Sequence, residues 1–346
     1  MPGRLMVGRQ VLVLCNLGSN PSPAAIMNKT ILVTGSTGFI GFHLIKVLLE
    51  RGDQVVGIDN FNSYNYEPQL KEDRNKILEE YPGYKLYRGD INDLELVQKV
   101  FQENKINKVC HLAALAGVRL SVEQPHLYNQ TNLIGFGNVI DEAKKAEVEN
   151  FVYASSSSVY GDLEKEKSEV SDNTDFPVSL YAATKKANEV VAHSYHHLFR
   201  LNCTGLRFFT VYGPYGRPDM ALAIFTKGIL EDQPITVFNH GKMVRDFTYV
   251  DDIVSGVVAS LDKNYPFEIF NLGCGETIEL LDFIKEIEKA TGKKAQMNMM
   301  PIQAGDVLKS YADIEKSRKM LGYEPQTTVK EGVPKFVSWY RKYYNI

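Results

Sequence analysis

A short apolar run leads directly into a glycine-rich turn at Thr30-Ile31-Leu32-Val33-Thr34-Gly35-Ser36-Thr37-Gly38-Phe39-Ile40-Gly41. Its first five residues are mostly apolar or β-branched, which is typical of a buried parallel strand. Glycines at this spacing allow a tight turn, a close approach of the backbone to a pyrophosphate, and close packing of helix on strand. Residues 43–49 have the pattern of an amphipathic helix, and the free N–H groups at its start would face the phosphate charge. These residues therefore predict the opening strand, turn and helix of a dinucleotide-binding fold.

A second apolar strand, at residues 54–58, ends at Asp59. An acid about twenty residues beyond such glycines binds the hydroxyls of a ribose. A carboxylate at this place repels the extra phosphate of NADP, so the predicted cofactor is NAD. An ordinary glycine-containing turn is the alternative, but strand, glycines, helix and acid occur together here. The predicted NAD-binding residues are Gly35, Ser36, Thr37, Gly38, Phe39, Ile40, Gly41, Asp59, Asn60, Asp90, Ile91, Ala113, Ala114, Tyr181 and Lys185.

The chain continues as alternating strands and helices. We predict strands within 85–91, 108–114 and 151–154, with helices at 94–104 and 128–145. Ligands of open α/β sheets bind at the carboxyl ends of the strands, so the predicted NAD-binding segments fall on one rim. The pattern predicts an α/β fold, a Rossmann-type doubly wound parallel sheet.

After residue 206 the alternation is less regular. A loop rich in glycine and proline is predicted at 211–218, and strands are predicted near 234–238, 246–250 and 269–272. We therefore expect a smaller mixed α/β substrate-binding lobe. The predicted domains are an NAD-binding domain at 27–205 and a lobe at 206–346, with some segments of the latter returning to the former.

Tyr181 and Lys185 lie four residues apart, downstream of the serine run Ser155-Ser156-Ser157-Ser158. A free tyrosine loses its proton at about pH 10, so it is a poor base at neutral pH. A lysine one helical turn away lies on the same face and favours the phenolate electrostatically. A nearby serine hydroxyl can share a hydrogen bond with a substrate oxygen. The pair is common by chance on helices, but beside a predicted NAD site it indicates a base and its activator.

Composition excludes several function classes for a chain of 346 residues. The formal net charge of -3 gives no basic footprint for nucleic acid. No apolar run reaches the length of a membrane span. The four cysteines are scattered, which suits a reducing cytosol and predicts a cytoplasmic protein. His193 and His197 have a spacing that can bind zinc, but no third ligand is evident, so no metal site is predicted.

Residues 1–26 precede the predicted fold and contain Arg4 and Arg9 ahead of the apolar run Val11-Leu12-Val13-Leu14-Cys15. The run is short, and no small-residue cleavage site follows it convincingly. Met27 stands immediately before the first strand. We expect a disordered extension here, and a signal peptide is the minor alternative.

From Met27 onward the sequence resembles the extended short-chain dehydrogenase/reductase family, in particular its nucleotide-sugar epimerases and dehydratases. Long stretches carry the resemblance, which makes it far more specific than a short motif. They are Tyr153–Gly161, Ser179–Asn188, Leu206–Met220 and Phe238–Asp252. The resemblance implies an NAD-dependent enzyme that acts on a UDP-sugar.

The resemblance also implies a mechanism. Tyr181, as phenolate, takes the proton of the sugar 4-hydroxyl while hydride leaves C4 for the nicotinamide. Lys185 lowers the pKa of the tyrosine and binds the nicotinamide ribose, and Ser156 matches the catalytic serine or threonine. The 4-keto sugar then rotates and accepts hydride on its other face, so C4 is inverted and NAD stays bound. Related dehydratases and decarboxylases carry acids after that serine, whereas Ser157 and Ser158 stand here, which disfavours both activities.

The sugar is predicted from a few substrate-facing positions. Thr210 stands where hexose epimerases of the family usually carry Asn. Arg217 is suited to bind a carboxylate bidentately, and together with Ser157 and Ser158 it could hold the C6 carboxylate of glucuronate. The resemblance is accordingly nearest to epimerases acting at C4 of UDP-glucuronate, with UDP-glucose or UDP-N-acetylglucosamine 4-epimerases as the alternative. A structural or diphosphate-binding role for Arg217 stays open.

Other implied features concern the nucleotide and the partners. Arg245 matches an arginine that contacts the diphosphate, Asp306 an acid that binds the uridine ribose, and Arg119 lies on a loop near the cofactor where it could assist with phosphate. Each could equally be a surface ion-pair member. The family also implies a homodimer. A net oxidoreductase and a non-catalytic nucleotide sensor are the rival classes, and the intact Tyr181, Lys185 and Ser156 disfavour the sensor.

Overall fold

The computed structural model describes residues 29–163, 165–302 and 308–346. The predicted extension at 1–26 and the predicted substrate residue Asp306 therefore lie outside the described residues. The strands are β1 (Thr30–Thr34), β2 (Gln54–Asp59), β3 (Tyr84–Arg88), β4 (Lys108–His111), β5 (Asn150–Ser156), β6 (Cys203–Phe208), β7 (Thr210–Tyr212), β8 (Ile235–Val237), β9 (Val244–Arg245), β10 (Phe247–Tyr249), β11 (Phe267–Leu272), β12 (Ile278–Glu279), β13 (Met297–Met299) and β14 (Lys309–Ser310).

Helices connect most of these strands. They are α1 (Phe39–Arg51), α2 (Gln69–Leu78), α3 (Leu94–Glu103), α4 (Val118–Glu123), α5 (Pro125–Asn129), α6 (Phe136–Lys145), α7 (Leu180–Phe199), α8 (Ala221–Leu230), α9 (Val250–Lys263), α10 (Leu280–Thr291), α11 (Glu315–Leu321) and α12 (Val329–Tyr344). A π-helix spans Gln130–Gly135, and 3₁₀-helices span Ser157–Tyr160 and Phe238–Gly241. In the part of the chain just described, no helix is both long and apolar enough to cross a lipid bilayer.

The central sheet has seven strands in the order β3-β2-β1-β4-β5-β6-β11. Every neighbouring pair in it is parallel. The chain runs outward from β1 to β3 and then returns to the other side of β1 at β4. That reversal opens a crevice at the carboxyl ends of β1 and β4, where doubly wound sheets bind their ligands. The predicted α/β fold is confirmed.

Both faces of this sheet are covered, which is why its central strands are mostly buried, whereas the edge strand β3 also carries Lys85 and Arg88. One face packs against α1 and α9 through a cluster that includes Phe42, Ile45 and Val257. The other face packs against α3 and α6 through a second cluster, which includes Val100 and Phe136. Because α9 and β11 come late in the sequence, the second half of the chain contributes to the same sheet layer.

A third hydrophobic cluster lies outside the large sheet. It joins α8, α10 and α12 to the short strands β8 and β10. The rings of Phe247 and Phe283 stack within it, with 3.9 Å between the ring centres. Its small sheets position the loops that follow β6 and β9, and these loops line the site described below.

Two sequence predictions need correction in this region and the preceding helix. Val211 and Tyr212, predicted as loop, belong to β7, which pairs in parallel with β10. The following glycines and prolines masked a strand of only three residues, whose partner is distant in sequence. The helix predicted at 128–145 is interrupted by the π-helix, where one wider turn changes the direction of its side chains.

Candidate active site

The glycine turn after β1 packs closely against the end of β4. Gly35 has a φ of +70°, and a Cβ built on it would lie 2.8 Å from the backbone N of Ala113. The backbone N of Gly38 donates to the carbonyl of Gly35 at 3.0 Å and closes the turn ahead of α1. A side chain at Gly35 would therefore force the turn away from the end of β4 and disturb the tight turn on which pyrophosphate binding depends.

The acid at the end of β2 is tied to this turn. Asp59 accepts hydrogen bonds from the backbone N of Thr37 at 3.0 Å and of Phe61 at 2.9 Å. Beside it, the Asn60 amide donates to Asp90 at 2.7 Å, which joins the end of β2 to the loop after β3. The carboxylate is thus fixed by backbone donors on the rim of the sheet, where a ribose can reach it.

A cavity of about 400 Å³ lies along this rim. The structure brings most of the predicted NAD-binding residues together in its lining, namely Gly35, Gly38, Phe39, Ile40, Gly41, Asp59, Asn60, Asp90, Ile91, Ala113, Ala114, Tyr181 and Lys185. Ser36 and Thr37 do not line it, because both are buried behind the turn. There the Tyr84 hydroxyl donates to Ser36 Oγ, and Arg74 donates to the carbonyl of Thr37.

The start of α7 presents Tyr181 to this cavity. Ser179 caps the helix, since its Oγ accepts from the backbone N of Ala182 at 3.2 Å. Lys185 Nζ donates to the carbonyl of Ala154 at 2.9 Å, and Ser156 lies close enough to Tyr181 to lower the pKa of its hydroxyl. The predicted catalytic residues Tyr181, Lys185 and Ser156 therefore come together in the lining of this cavity at the end of β5.

Asparagines of the π-helix and α7 fix this arrangement. The Asn132 side chain accepts from the backbone N of Leu115 at 2.8 Å and donates to Thr184 Oγ1 at 3.0 Å. Asn188 in turn donates to the carbonyl of Asn132 at 2.8 Å. The loop after β4 and helix α7 are thus joined through one buried side chain, that of Asn132, a role that residue spacing did not reveal.

Burial and two neighbours set the proton affinity of Tyr181. Burial raises the pKa of Tyr181, while the hydrogen bond to Ser156 and the positive charge of Arg217 lower it. Burial also lowers the pKa of Lys185 to about 8. The cation that lowers the pKa of Tyr181 here is Arg217, whereas the ammonium of Lys185 is bonded to a backbone carbonyl.

Arg217 is held by an acid that sequence reasoning had not considered. Its Nε and Nη2 donate to the two carboxylate oxygens of Asp219 at 3.0 and 2.6 Å, and Nη2 also reaches the carbonyl of Ala116 at 3.3 Å. The edge suited to bidentate carboxylate binding is therefore already paired. Within the described residues, the Nη1 group makes no hydrogen bond and remains for a ligand oxygen.

A second cavity, of about 830 Å³, adjoins the first and extends toward the third hydrophobic cluster, whose residue Phe225 lines it. Ser157, Ser158, Thr210 and Arg217 line both cavities and so mark their junction. Arg119 and Arg245 line only the second, and Ser156 only the first. The geometry suits a dinucleotide in one cavity and an elongated polar substrate in the other, with Tyr181 close to where they meet.

Two lining residues were missed by sequence reasoning. Lys71 lines the first cavity, where its Nζ donates to the carbonyl of Asn62 at 2.7 Å and is close enough to Asp59 to be influenced by its charge. Phe238 lines the second cavity, with the Arg119 guanidinium 5.2 Å from its ring centre. No element was predicted around Lys71, and Phe238 stood at the end of a predicted strand and at the start of a stretch of family resemblance, with no role assigned to it.

Comparisons with known proteins agree with this geometry. Residues 31–273 match the NAD dependent epimerase/dehydratase family. UDP-glucuronate 4-epimerase 4 of Arabidopsis thaliana is 46% identical over 334 residues, which cover 91% of this chain and 76% of the plant protein.

Two solved structures are similar over nearly the whole fold. UDP-glucuronic acid 4-epimerase from Bacillus cereus, in complex with UDP-glucuronic acid and NAD, gives a TM-score of 0.86 at 37% identity and covers 91% of this chain and 100% of that one. UDP-glucose 4-epimerase from Thermotoga maritima, with UDP-glucose, gives a TM-score of 0.82 at 32% identity, covering 91% and 99%.

Proposed function

The chain belongs to the NAD-dependent epimerase/dehydratase family, and we propose that it is a UDP-glucuronate 4-epimerase. It interconverts UDP-glucuronate and UDP-galacturonate through a transient 4-keto sugar and retains tightly bound NAD. The observation that carries the proposal is the junction of the two cavities, where Tyr181, Ser157 and Arg217 converge beside the glycine turn.

The residues of the first cavity fit NAD. The turn from Gly35 to Gly41 leaves room for the pyrophosphate, Asp59 offers a carboxylate to the adenosine ribose, and Ala113 allows close contact with the backbone. Once bound there, NAD supplies reversible hydride acceptance at C4. Lys71 adds a positive charge to the same wall.

The protein residues handle the proton. Tyr181 removes the proton from the 4-hydroxyl, and Ser156 shares a hydrogen bond that favours the phenolate. Lys185 holds the end of β5 through Ala154 and is placed to bind the nicotinamide ribose. When the keto group is reduced from the opposite face, Tyr181 returns the proton, so the residue acts as base and then as acid.

Serines after Ser156 favour simple epimerisation. Elimination of water across C5 and C6 requires an acid beside the sugar, and the 3₁₀-helix at Ser157–Tyr160 instead presents hydroxyls to the junction. Ser157, Ser158 and Thr210 can donate to a carboxylate or accept from hydroxyls without moving protons. Dehydratase and decarboxylase activities are therefore disfavoured.

Arg217 supplies the charge that distinguishes glucuronate from glucose in this proposal. Because Asp219 occupies its Nε–Nη2 edge, the C6 carboxylate would meet Nη1 or exchange with Asp219. Arg245 and Arg119 are assigned to the diphosphate, and Asp306 to the uridine ribose. The aromatic face of Phe238 gives the uracil ring of the substrate a surface on which to stack.

The assembly and location are part of the same proposal. Large apolar side chains are exposed on the π-helix and on α7, which contact each other. They are Ile134 at 60%, Val190 at 58% and Leu198 at 68% exposure, and we assign them to a homodimer interface. Cys110, Cys203 and Cys274 are free thiols, which supports a cytoplasmic location. We assign 27–205 to NAD binding and 206–346 mainly to the UDP-sugar.

The decisive experiment incubates the purified protein with UDP-glucuronate and no added NAD, and identifies products by NMR. UDP-galacturonate is the expected product. Parallel reactions with UDP-glucose and UDP-N-acetylglucosamine test the alternative, which would be favoured if only they turn over. A UDP-pentose with carbon dioxide, or steady accumulation of NADH, would contradict the proposal.

A further inference from the structure

Three residues on one face of α7 contact three consecutive residues of β5. Tyr181, Lys185 and Glu189 are spaced by four, so their side chains lie in line along the helix. Each contacts a different residue among 154–156 at the end of the strand. Lys185 Nζ donates to the Ala154 carbonyl at 2.9 Å, and Ser155 Oγ donates to Glu189 Oε1 at 2.6 Å. Ser156 lies close enough to Tyr181 to lower the pKa of its hydroxyl.

Glu189 has no place in the chemistry, because it lines neither cavity. Its carboxylate is instead paired with Arg207 on β6, whose Nε and Nη2 each donate to it at 2.8 Å. Glu189 and Arg207 are each only 3% exposed, and Ser155 is 2% exposed. A buried, bidentate ion pair is therefore hydrogen-bonded to Ser155, the residue that directly precedes Ser156.

The same pair reaches the wall of the second cavity. The Arg207 guanidinium lies 4.8 Å from the centre of the Tyr160 ring, and the Tyr160 hydroxyl donates to Asn271 at 2.6 Å. Asn271 then donates to the carbonyl of Ser168 at 2.8 Å. Both Tyr160 and Ser168 line the second cavity. The network thus runs from the catalytic helix to the substrate side of the junction.

Stability alone is a weak reason for such a pair. Removing two charges from water offsets most of their attraction, and apolar side chains of similar size often serve a core equally well. A bidentate pair does, however, restrict the relative position of the two elements that carry it. Here those elements are the catalytic helix and the strand next to β5.

We propose that Glu189 and Arg207 are positioning residues that set the distance between Ser156 and Tyr181 through the hydroxyl of Ser155. The inference rests on the proposed function, because the geometry it protects is that of proton transfer from the sugar. Without the bond from Ser155, the end of β5 keeps the contact between Lys185 and Ala154 but loses its link to Glu189, so residues 155 and 156 are held less firmly against α7. The Ser156 hydroxyl then loses its alignment with Tyr181.

Ser155→Ala tests this most directly, since it removes the link to β5 and leaves the ion pair intact. Epimerisation of UDP-glucuronate by the intact holoenzyme should lose about tenfold in kcat, because small misplacements of reacting groups are costly. KM should change by less than about twofold, since the binding groups remain. The pH profile of kcat should move to higher pH, because Tyr181 loses part of its bond to Ser156. Ser155→Thr, which keeps the hydroxyl, should restore both quantities.

Ser260→Ala is the matched control, because Ser260 is an equally buried serine whose Oγ bonds to the Gly256 carbonyl within α9. It should leave kcat and the pH profile unchanged. The inference is overturned if Ser155→Ala keeps wild-type kcat and pH profile, or if its kcat falls without a pH shift and Ser155→Thr does not rescue it. A wild-type enzyme inactive on UDP-glucuronate would instead overturn the proposed function.

Discussion

The buried surroundings of Tyr181 disfavour the ionised form that a base requires. Burial raises its pKa, and only the bond to Ser156 and the charge of Arg217 act in the other direction. In the proposed mechanism the deprotonated form of Tyr181 is the active one, so any change that removes a lowering influence on its pKa should move the rising limb of the pH–rate profile to higher pH.

We therefore expect Ser156→Ala to lower kcat by about 10²-fold at neutral pH, since a shared hydrogen bond to the reacting oxygen is lost. At higher pH the deficit should shrink, because more Tyr181 is then ionised. Measuring kcat against pH for wild type and variant checks this. A deficit that stays constant across the pH range would show that Ser156 does not act through the pKa of Tyr181.

Arg217 separates the two sugar hypotheses at the level of one side chain. If it binds the C6 carboxylate, Arg217→Ala should reduce kcat/KM for UDP-glucuronate by about 10²-fold, as expected when a charged hydrogen bond of about 3 kcal/mol is lost. Activity on UDP-glucose should fall only by the smaller amount that follows from the higher pKa of Tyr181, which affects both substrates and shrinks at higher pH. Kinetics with both substrates provide the measurement, and equal losses on both would leave Arg217 with a structural or diphosphate-binding role.

The glycine turn shows how an element depends on the absence of a side chain. Gly35 and Gly292 have nearly the same φ, +70° and +73°, but a Cβ at Gly292 would meet nothing within 4 Å. Both alanine variants should therefore lose about 1 kcal/mol from backbone strain. Only Gly35→Ala should also purify with little bound NAD, because its Cβ pushes the turn away from Ala113. Unfolding curves and the NAD content of each protein measure the two effects, and equal NAD content would refute the proposed cradle.

A buried carboxylate joins the short strands of the smaller lobe to the large sheet. Asp246 accepts from the backbone N atoms of Cys274, Gly275 and Ala312 and from Thr248 Oγ1. Burial still dominates and raises the pKa of Asp246 to about 6. Because the folded-state pKa lies above the unfolded value, its contribution to stability is complete at low pH and declines as the pH rises through about 6.

Asp246→Asn should therefore destabilise the protein by about 1–3 kcal/mol, since an amide NH2 group, which cannot accept a hydrogen bond, replaces one of the two side-chain oxygens and leaves buried donors unpaired. The destabilisation should be largest at low pH and smaller above about pH 6, where wild type has lost its own contribution. Chemical unfolding at several pH values gives the comparison. A difference between wild type and variant that grows with pH would contradict the assigned direction.

The sheet and its rim were predictable because each strand carries its own signal. Apolar runs that end at Asp59 or at the serines after β5 give both burial and the position of the site. The two-residue strands β9, β12 and β14 had no such signal, because only pairing with distant segments creates them. The same holds for the Arg217–Asp219 pair, whose geometry depends on the loop conformation rather than on spacing.

Contacts between the first and second halves of the sequence extend across the molecule. α9 follows β10 directly and packs on α1 beside the glycine turn, so the substrate side cannot shift freely relative to the cofactor side. Loops from both sides meet at Arg217, and Arg74 reinforces this by donating both to Thr37 in the turn and to the carbonyl of Tyr215. This rigidity suits an enzyme that keeps its cofactor through each cycle.

The proposed dimer is the property that belongs to the whole molecule. Val190 and Leu198 are exposed on α7, the helix that carries the proposed base Tyr181, and burying two such side chains stabilises an interface by about 2–3 kcal/mol each. Val190→Glu combined with Leu198→Glu should therefore dissociate the protein into monomers, because four like charges would face each other across a two-fold axis. Met299→Glu, at an exposed apolar position on β13, is the control and should leave the mass of the assembly unchanged.

Sedimentation velocity distinguishes the outcomes: a wild type that is already monomeric, or a double variant that stays dimeric, would remove α7 from the interface. Since α7 is pinned to β5 by its inner face, a dissociated but folded variant should also lose part of its kcat, linking assembly to the alignment of Tyr181.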